Sequence, residues 1–159
     1  MNVSTGHFYF LDESYFVDFP DLHLMSNKGL MQDRPCFYAF RDAINPIFWM
    51  IPFSSKLTKF KAEHAKKIAK HGRCDTIVFG KVLGFEKAFL IQNMCPVTKK
   101  YIKSEYLDSA ANMPVRVDGR LEKKLIQAAN RVLNLQRQGV KLIFPDILKI
   151  ERELLKNFC

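Results

Sequence analysis

The amino-acid sequence predicts an α+β protein: a compact antiparallel sheet or β-barrel-like core, one inserted basic helix and two C-terminal helices. Strand-like segments come mostly early in the chain, and amphipathic helical segments close it. The strands do not alternate regularly with helices, which disfavours a parallel, doubly wound sheet. The length of 159 residues predicts a single domain over residues 1–159, and the 48% hydrophobic share is typical of a globular chain.

The first elements include an apolar β-hairpin. A short strand over residues 7–11 precedes a polar loop over 12–34, in which one helical turn is expected. Strands over 35–42 and 47–53 flank a turn marked by an Asn-Pro pair. Because both strands are almost continuously apolar, we expect them to be buried on both faces.

A lysine-rich helix is predicted over residues 57–71, because this segment lacks glycine and proline and is rich in alanine and lysine. Gly72 is placed to end it as a C-cap glycine. A small apolar stripe at helical spacing consists of Ala62, Ala65 and Ala69. Another face gathers four cations: Lys59, Lys66, Lys70 and Arg73.

Two helices are expected to close the chain. Asp118 is placed to N-cap the first, and Pro145 fits the first turn of the second. The inward residues of the first helix are predicted to be Leu121, Leu125, Ala128, Ala129, Val132 and Leu135. In order, the remaining elements are two strands within 75–94, a helical turn within 95–102, a last strand over 113–117, a helix over 120–137 and a helix through Phe158.

The charge balance is strongly basic. The chain has 25 Lys and Arg against 16 Asp and Glu, a net charge of +9 and a pI near 9.5. Such a field attracts polyanions, namely RNA, DNA or anionic lipid. A pI above about 9 is the usual electrostatic mark of a nucleic-acid-binding domain. Plain solubility is the alternative reading, and a nucleic-acid partner is preferred.

Cysteine usage and hydropathy point to the cytoplasm. The cysteines at 36, 74, 95 and 159 have neither CxxC nor zinc-site spacing, so we expect free thiols in a reducing cytosol. Cys36 and Cys95 lie in apolar strands and are expected in the core. The N-terminus lacks the features of a signal peptide. The longest apolar run, residues 47–53, is far shorter than the roughly 20 residues of a membrane span, so no membrane partner is expected.

Common cofactor and metal motifs are missing from the sequence. It contains no GxGxxG, no Walker loop and no HExxH, so no cofactor and no metal are expected. The four histidines, at 7, 23, 64 and 71, have no metal-ligand spacing and are expected to be ordinary surface residues. A histidine in a basic groove could still act as an acid or base near neutral pH.

The stretch Ser54-Ser55-Lys56 is the first candidate site. Cleavage of RNA by its own 2′-OH needs a base, an acid and cationic stabilisation of the phosphorane, which side chains can supply without a metal. Lys56 offers a point charge, and the serine hydroxyls can donate hydrogen bonds to phosphate oxygens. The alternative is that a serine simply caps the following helix, which would itself present amides to an anion.

Two further segments are candidate RNA contacts. Arg34 precedes the first hairpin strand and could grip phosphate through its guanidinium fork, or it is an exposed cation with no such role. Residues 98–106 interleave cations with aromatic rings, as single-stranded RNA requires, or they form a solvated loop with one tyrosine packed inward. The candidate contacts in that segment are Lys99, Lys100, Tyr101 and Lys103.

The run "RPCFYAF…FWMIPFSSK…CDTIVFGKVLGFEKAFLIQNMCPVTKKYI" resembles the toxins of type III toxin–antitoxin systems, the ToxN/AbiQ group, most closely the CptN branch. The resemblance covers about residues 7–155. It rests on the order and spacing of an RP-aromatic strand, the "IPFSSK" loop and "FLIQNMCPVT".

This resemblance implies a Kid/MazF-like fold and a metal-independent endoribonuclease that leaves a 2′,3′-cyclic phosphate on cellular or phage RNA. It also implies an inhibitory antitoxin RNA, a pseudoknotted repeat that the toxin cuts from a precursor, in closed protein–RNA assemblies. The family's catalytic hydroxyl-hydroxyl-Lys loop maps onto Ser54, Ser55 and Lys56. A basic residue before the hairpin falls on Arg34, with Lys28 as the rival position.

The lysines of the basic helix and of residues 98–106 would then line an RNA groove. A non-catalytic RNA-binding module, regulatory or ribosome-associated, is the alternative function. It accounts for the charge and the aromatic residues equally well, but it provides no reason for Ser-Ser-Lys.

Overall fold

The computed structural model describes residues 2–24 and 36–157. It confirms a mixed α+β architecture with an antiparallel sheet. Its strands are β1 Phe8–Leu11, β2 Phe37–Arg41, β3 Phe48–Ser54, β4 Ile77–Val82, β5 Phe85–Leu90, β6 Cys95–Val97, β7 Ile102–Glu105, β8 Leu107–Asp108 and β9 Met113–Pro114. Its helices are α1 Glu13–Asp18, α2 Leu57–His71, α3 Gly119–Arg137 and α4 Ile147–Lys156, with 3₁₀ turns at Ile91–Asn93 and Lys99–Tyr101.

The main sheet follows the order β4-β5-β3-β2-β1-β7, with β6 beside the start of β3, and every pair is antiparallel. The predicted hairpin is β2–β3, and residues Phe37–Phe40 and Phe48–Ile51 are buried, as expected. Within the described residues no pair joins β4 or β6 to β7. The sheet is therefore not a closed barrel, and the likeness to a Kid/MazF fold stays a prediction.

The sheet nevertheless curls strongly. Strands β6 and β7 are separated by four residues, 98–101, yet they pair with β3 and β1, which lie on either side of β2. In a flat sheet β6 and β7 would lie about 19 Å apart, four strand spacings of about 4.8 Å. Even a fully extended link of this length reaches only about 17 Å, and a 3₁₀ turn shortens it. The sheet must therefore bend toward a barrel shape without closing.

Helix α2 has the predicted bounds but buries a different face. Its C-cap, Gly72, has a φ of 77°, the left-handed conformation that glycine tolerates. Phe60 is the buried side chain of this helix and packs on a small cluster formed by β4 and β5. The apolar stripe Ala62, Ala65 and Ala69 is exposed. Leu57, His64 and Lys67 of α2 also contact this side of the protein, through the same cluster, the ring of Phe79, and the side chains of Thr76 and Gln92. The alanines lie on the solvent side of the helix.

Helices α3 and α4 cover the main core. Asp118 caps α3 as predicted and accepts a hydrogen bond from the Leu121 amide at 2.8 Å. The predicted inward residues are buried, except that Leu135 is half-buried and Leu133 is buried instead. Arg137 links α3 to α4 through two 2.8 Å hydrogen bonds to Glu151. The other differences are local. Helix α4 is capped by Asp146, the residue after Pro145, and the strand predicted over 113–117 is only the two residues of β9. The helical turn expected within 12–34 is the six-residue helix α1.

Substituting Gly80 with alanine is expected to lower the free energy of unfolding by about 1–3 kcal/mol through overpacking. A Cβ at Gly80 would overlap the buried side chain of Leu121 on α3, whose Cγ would lie only 2.9 Å away. Gly119→Ala is the matched control, because apart from adjacent residues and the backbone of its own helix nothing lies within 4 Å of its Cβ position. Urea unfolding measures both; equal stability of the two variants would contradict this contact between β4 and α3.

Candidate active site

The Ser54-Ser55-Lys56 stretch forms a tight turn between β3 and α2. The Lys56 amide donates to Ser54 Oγ at 3.1 Å, and the Leu57 amide donates to the Ser55 carbonyl oxygen at 2.8 Å. Lys56 is the N-cap of α2 and makes no side-chain cap bond. The alternative of a serine N-cap is therefore wrong: Ser54 closes a local serine turn before the helix begins.

A fourth side chain, Lys87 of β5, completes the turn and was missed in the sequence. Its Nζ donates to Ser55 Oγ at 2.7 Å, a contact between residues 32 positions apart. The pairing of Ser54 with Ala88 places Lys87 opposite Ser55. Nothing in the local pattern of residues 85–90 marks this lysine, because strands β3 and β5 are not consecutive in the chain.

The turn is open to a large substrate. Ser55 and Lys56 are exposed, and Ser54 and Lys87 are half-buried. Because Ser55 Oγ accepts its hydrogen bond from Lys87, the hydroxyl group of Ser55 can still donate a hydrogen bond to another acceptor. Lys56 forms no ion pair with any residue in the described ranges. Two lysines and two serines thus belong to one exposed turn, a combination that can bind a phosphate and stabilise added negative charge on it.

The cationic face of α2 continues from this turn. Lys59, Lys66 and Lys70 are exposed along it at helical spacing, starting one turn after Lys56. Arg73 is also exposed, but its Nε lies 2.9 Å from Asp75 Oδ2. The predicted basic face is therefore present next to the candidate site.

The second predicted RNA surface does not lie at this site. The Lys99–Tyr101 turn follows β6, whose Val97 pairs with Phe48 at the start of β3, whereas Ser54 ends that strand. Six residues of strand separate the two ends by about 20 Å. Lys103 lies on β7, at the opposite edge of the sheet from β4. These lysines are exposed cations of a different surface.

Tyr101 is a core residue rather than a stacking platform for bases. It is 3% exposed and packs against the rings of Tyr15 and Phe19, with centroids 5.4 and 5.6 Å away. Its hydroxyl donates to Asp18 Oδ2 at 2.8 Å. Burial and this carboxylate raise the pKa of Tyr101 to about 12. The expectation that this ring contacts RNA is wrong, because the ring is buried and the Lys100 ammonium lies over it, 5.1 Å from its centroid.

The remaining candidates are placed as follows. Arg34 and Lys28 lie outside the described residues, so their positions relative to Lys56 stay predictions. Cys36 and Cys95 are buried as expected, and burial raises the pKa of each thiol to about 12. His64 is half-buried with its ring 5.3 Å from that of Phe79, rather than an ordinary surface residue.

Helix α3 carries cations that sequence reasoning did not assign to RNA. Arg120, Lys124 and Arg131 are exposed and, with Gln127, recur at helical spacing beside the buried face of the helix. Their spacing is visible in the sequence, but only the packing of Leu121 over Gly80 shows that this stripe flanks β4.

Across residues 2–24 and 36–157, no three His, Cys, Asp or Glu side chains gather as they would around a metal ion. None of the described helices combines the length and the apolar character needed to traverse a lipid bilayer.

Comparison of the chain with protein-family models and with curated proteins found no match to either.

Proposed function

We propose that this protein is a metal-independent endoribonuclease acting on single-stranded RNA. The observation that carries the proposal is the exposed turn where Lys87 holds the Ser55 hydroxyl beside Ser54 and Lys56. In the proposed reaction the 2′ oxygen attacks the adjacent phosphorus and the bond from phosphorus to the 5′ oxygen breaks. The 2′ proton passes through Ser54 or Ser55 to water, and water returns a proton to the departing 5′ oxygen. The products carry a 2′,3′-cyclic phosphate and a 5′ hydroxyl.

The side chains of the turn match the charges of that reaction. The phosphorane carries an additional negative charge on its non-bridging oxygens, and the ammonium groups of Lys56 and Lys87 would stabilise it. Ser54 Oγ and Ser55 Oγ each accept a hydrogen bond from the protein, so their own protons can be donated to phosphate or relayed at the 2′-OH. In this proposal Arg34, or Lys28, would clamp the phosphate.

The biological role we propose is that of a type III toxin with a Kid/MazF-like fold, on the strength of the resemblance in the "IPFSSK" region. The enzyme would arrest growth or defend against phage, and it would process the precursor of its own antitoxin RNA. The resulting pseudoknot would occupy the basic face of α2, including Lys66 and Lys70, in a closed protein–RNA assembly. This binding should weaken steeply as salt concentration rises.

The test is cleavage of a labelled single-stranded RNA in EDTA by wild-type protein and by Lys56→Ala protein purified identically. We expect metal-free cleavage to 2′,3′-cyclic ends by the wild type alone, and growth arrest on its expression. RNA should co-purify, giving an absorbance ratio at 260 and 280 nm that falls after ribonuclease treatment.

Other outcomes separate the alternatives. RNA binding without cleavage or growth arrest would favour the non-catalytic RNA-binding module. Cleavage that EDTA abolishes would refute the metal-free mechanism. Equal cleavage by the variant would assign the activity to a contaminating nuclease or to other residues.

A further inference from the structure

A cavity lies at the free edge of the sheet, about 12 Å from the candidate active site by strand geometry. Strand β4 is the edge strand, and Gly80 of β4 pairs with Lys87, the residue that contacts Ser55. Two residues earlier along β4, the chain around Val78 forms the floor of the cavity. Helix α2 supplies one wall and α3 the other.

The walls combine aromatic and cationic groups. The rings of His64 and Phe79 meet edge to face, with centroids 5.3 Å apart, on the α2 side. Lys124, Gln127 and Arg131 line the α3 side. The cavity volume is about 110 Å³, well below the roughly 300–1,000 Å³ of pockets for drug-sized ligands. It can therefore take one small group, such as a single base, rather than a large cofactor.

The electrostatics of the cavity favour an anion with a polar, flat portion. Asp75, the carboxylate in the lining, is already contacted by Arg73 at 2.9 Å and by Arg131 at 3.3 Å. Lys124 adds a further exposed cation, so positive groups outnumber the single carboxylate. Asp75 retains acceptor capacity for base N–H groups, and Gln127 offers both a donor and an acceptor.

We infer that this cavity binds one unstacked nucleotide of a single-stranded RNA, with the base against His64 and Phe79 and its phosphate at Lys124 and Arg131. Aromatic faces combined with cations are the usual means of binding unpaired bases. Arg120, on the same stripe of α3 as Lys124, would lead the strand toward Lys87 and the turn. That the ligand is RNA rests on the proposed function. That a binding site exists here rests on the residues that line the cavity.

The test uses protein in which Lys56→Ala prevents cleavage, so that binding is measured without chemistry. A short single-stranded RNA is compared with a set of the same RNA carrying one abasic position at a time. One abasic position should weaken binding by about 10-fold, the scale of one lost base-stacking contact. Adding His64→Ala should weaken binding of the intact RNA similarly and should remove the penalty at that position alone.

Lys124→Ala should also weaken binding, while Lys123→Ala, an exposed neighbour outside the cavity lining, should not. Cys74 lines the cavity and supplies a readout independent of affinity. In a Cys159→Ser background, bound RNA should slow alkylation of Cys74, whereas buried Cys36 and Cys95 should remain unmodified with or without RNA.

The outcomes distinguish this inference from the proposed activity. Metal-free cleavage together with an unchanged abasic profile in His64→Ala and no protection of Cys74 would overturn the cavity assignment and leave the nuclease intact. Protection of Cys74 by RNA and a changed abasic profile in His64→Ala, without any cleavage by wild-type protein, would support the cavity site and refute the nuclease. Failure to bind any RNA would overturn both.

Discussion

Replacing Lys87 with alanine is expected to slow single-turnover RNA cleavage by about 100-fold or more, the usual cost of removing one preorganised donor to a transition-state oxyanion. Lys87 fixes the Ser55 hydroxyl through a 2.7 Å hydrogen bond and adds a second positive charge to the turn that contains Lys56. Both contributions grow as negative charge develops on the phosphorane. The rate should therefore fall much more than substrate affinity, as single-turnover measurements over a range of enzyme concentrations will show.

Lys81→Ala is the matched control for Lys87→Ala. Lys81 is an exposed lysine of β4 that pairs across the ribbon with Glu86, one residue from Lys87 and on the opposite face. The Lys81→Ala variant should cleave RNA at the wild-type rate, although it loses the same positive charge as Lys87→Ala. Ser55→Ala combined with Lys87→Ala should cost little more than the worse single variant, because the two groups act as a unit. A Lys87→Ala rate within about 3-fold of wild type would remove this residue from the mechanism.

Phe60→Ala is expected to reduce the free energy of unfolding by about 3–5 kcal/mol, the range for deleting a buried phenyl ring. Phe60 is 7% exposed and is the buried side chain through which α2 packs against Ile77, Ala88 and Leu90. The first helical hydrogen bond of α2 joins the Phe60 amide to the Lys56 carbonyl oxygen. Loosening α2 should therefore also disturb the turn that carries Ser55 and Lys56, and cleavage should fall with stability.

Urea unfolding followed by circular dichroism measures the effect, with Phe85→Ala as its control. Phe85 lies in β5, on the same ribbon, but it is 71% exposed, so its removal should change stability by less than about 0.5 kcal/mol. Phe60→Leu should fall between the two, since it leaves a smaller void. A loss below about 1 kcal/mol for Phe60→Ala, under the range for such truncations, would show that other contacts dock α2.

Local patterns predicted the elements whose signals lie within a few residues of each other. The β2–β3 hairpin and the bounds of α2 and α3 follow from apolar runs, capping residues and glycine punctuation, which act over one turn or one strand. The buried face of α2 was harder to predict. Its alanines are a regular stripe, but they are exposed, and Phe60 is the residue that the helix buries.

The candidate site also has a part that the sequence predicted and a part that it did not. Ser54, Ser55 and Lys56 are neighbours in the chain, so their chemistry was readable from the sequence, and their turn is held by bonds among themselves and Leu57. Lys87 joins them only through the pairing of β3 with β5, across 32 residues. Strand pairing between distant segments depends on the whole sheet, and no short pattern encodes it.

Tyr101 and the cations of α3 show that residue composition alone does not predict which side chains are available for RNA. A tyrosine among lysines is the composition of an RNA contact, yet the fold buries that ring beneath Tyr15 and Phe19. The helical spacing of Lys124 and Arg131 is visible in the sequence, but only the packing of α3 over Gly80 brings them to the edge of β4. Residue type and spacing settle which chemistry a side chain can perform. Which side chains meet is settled by long-range packing, because burial, rather than local preference, decides which face of each element is turned inward.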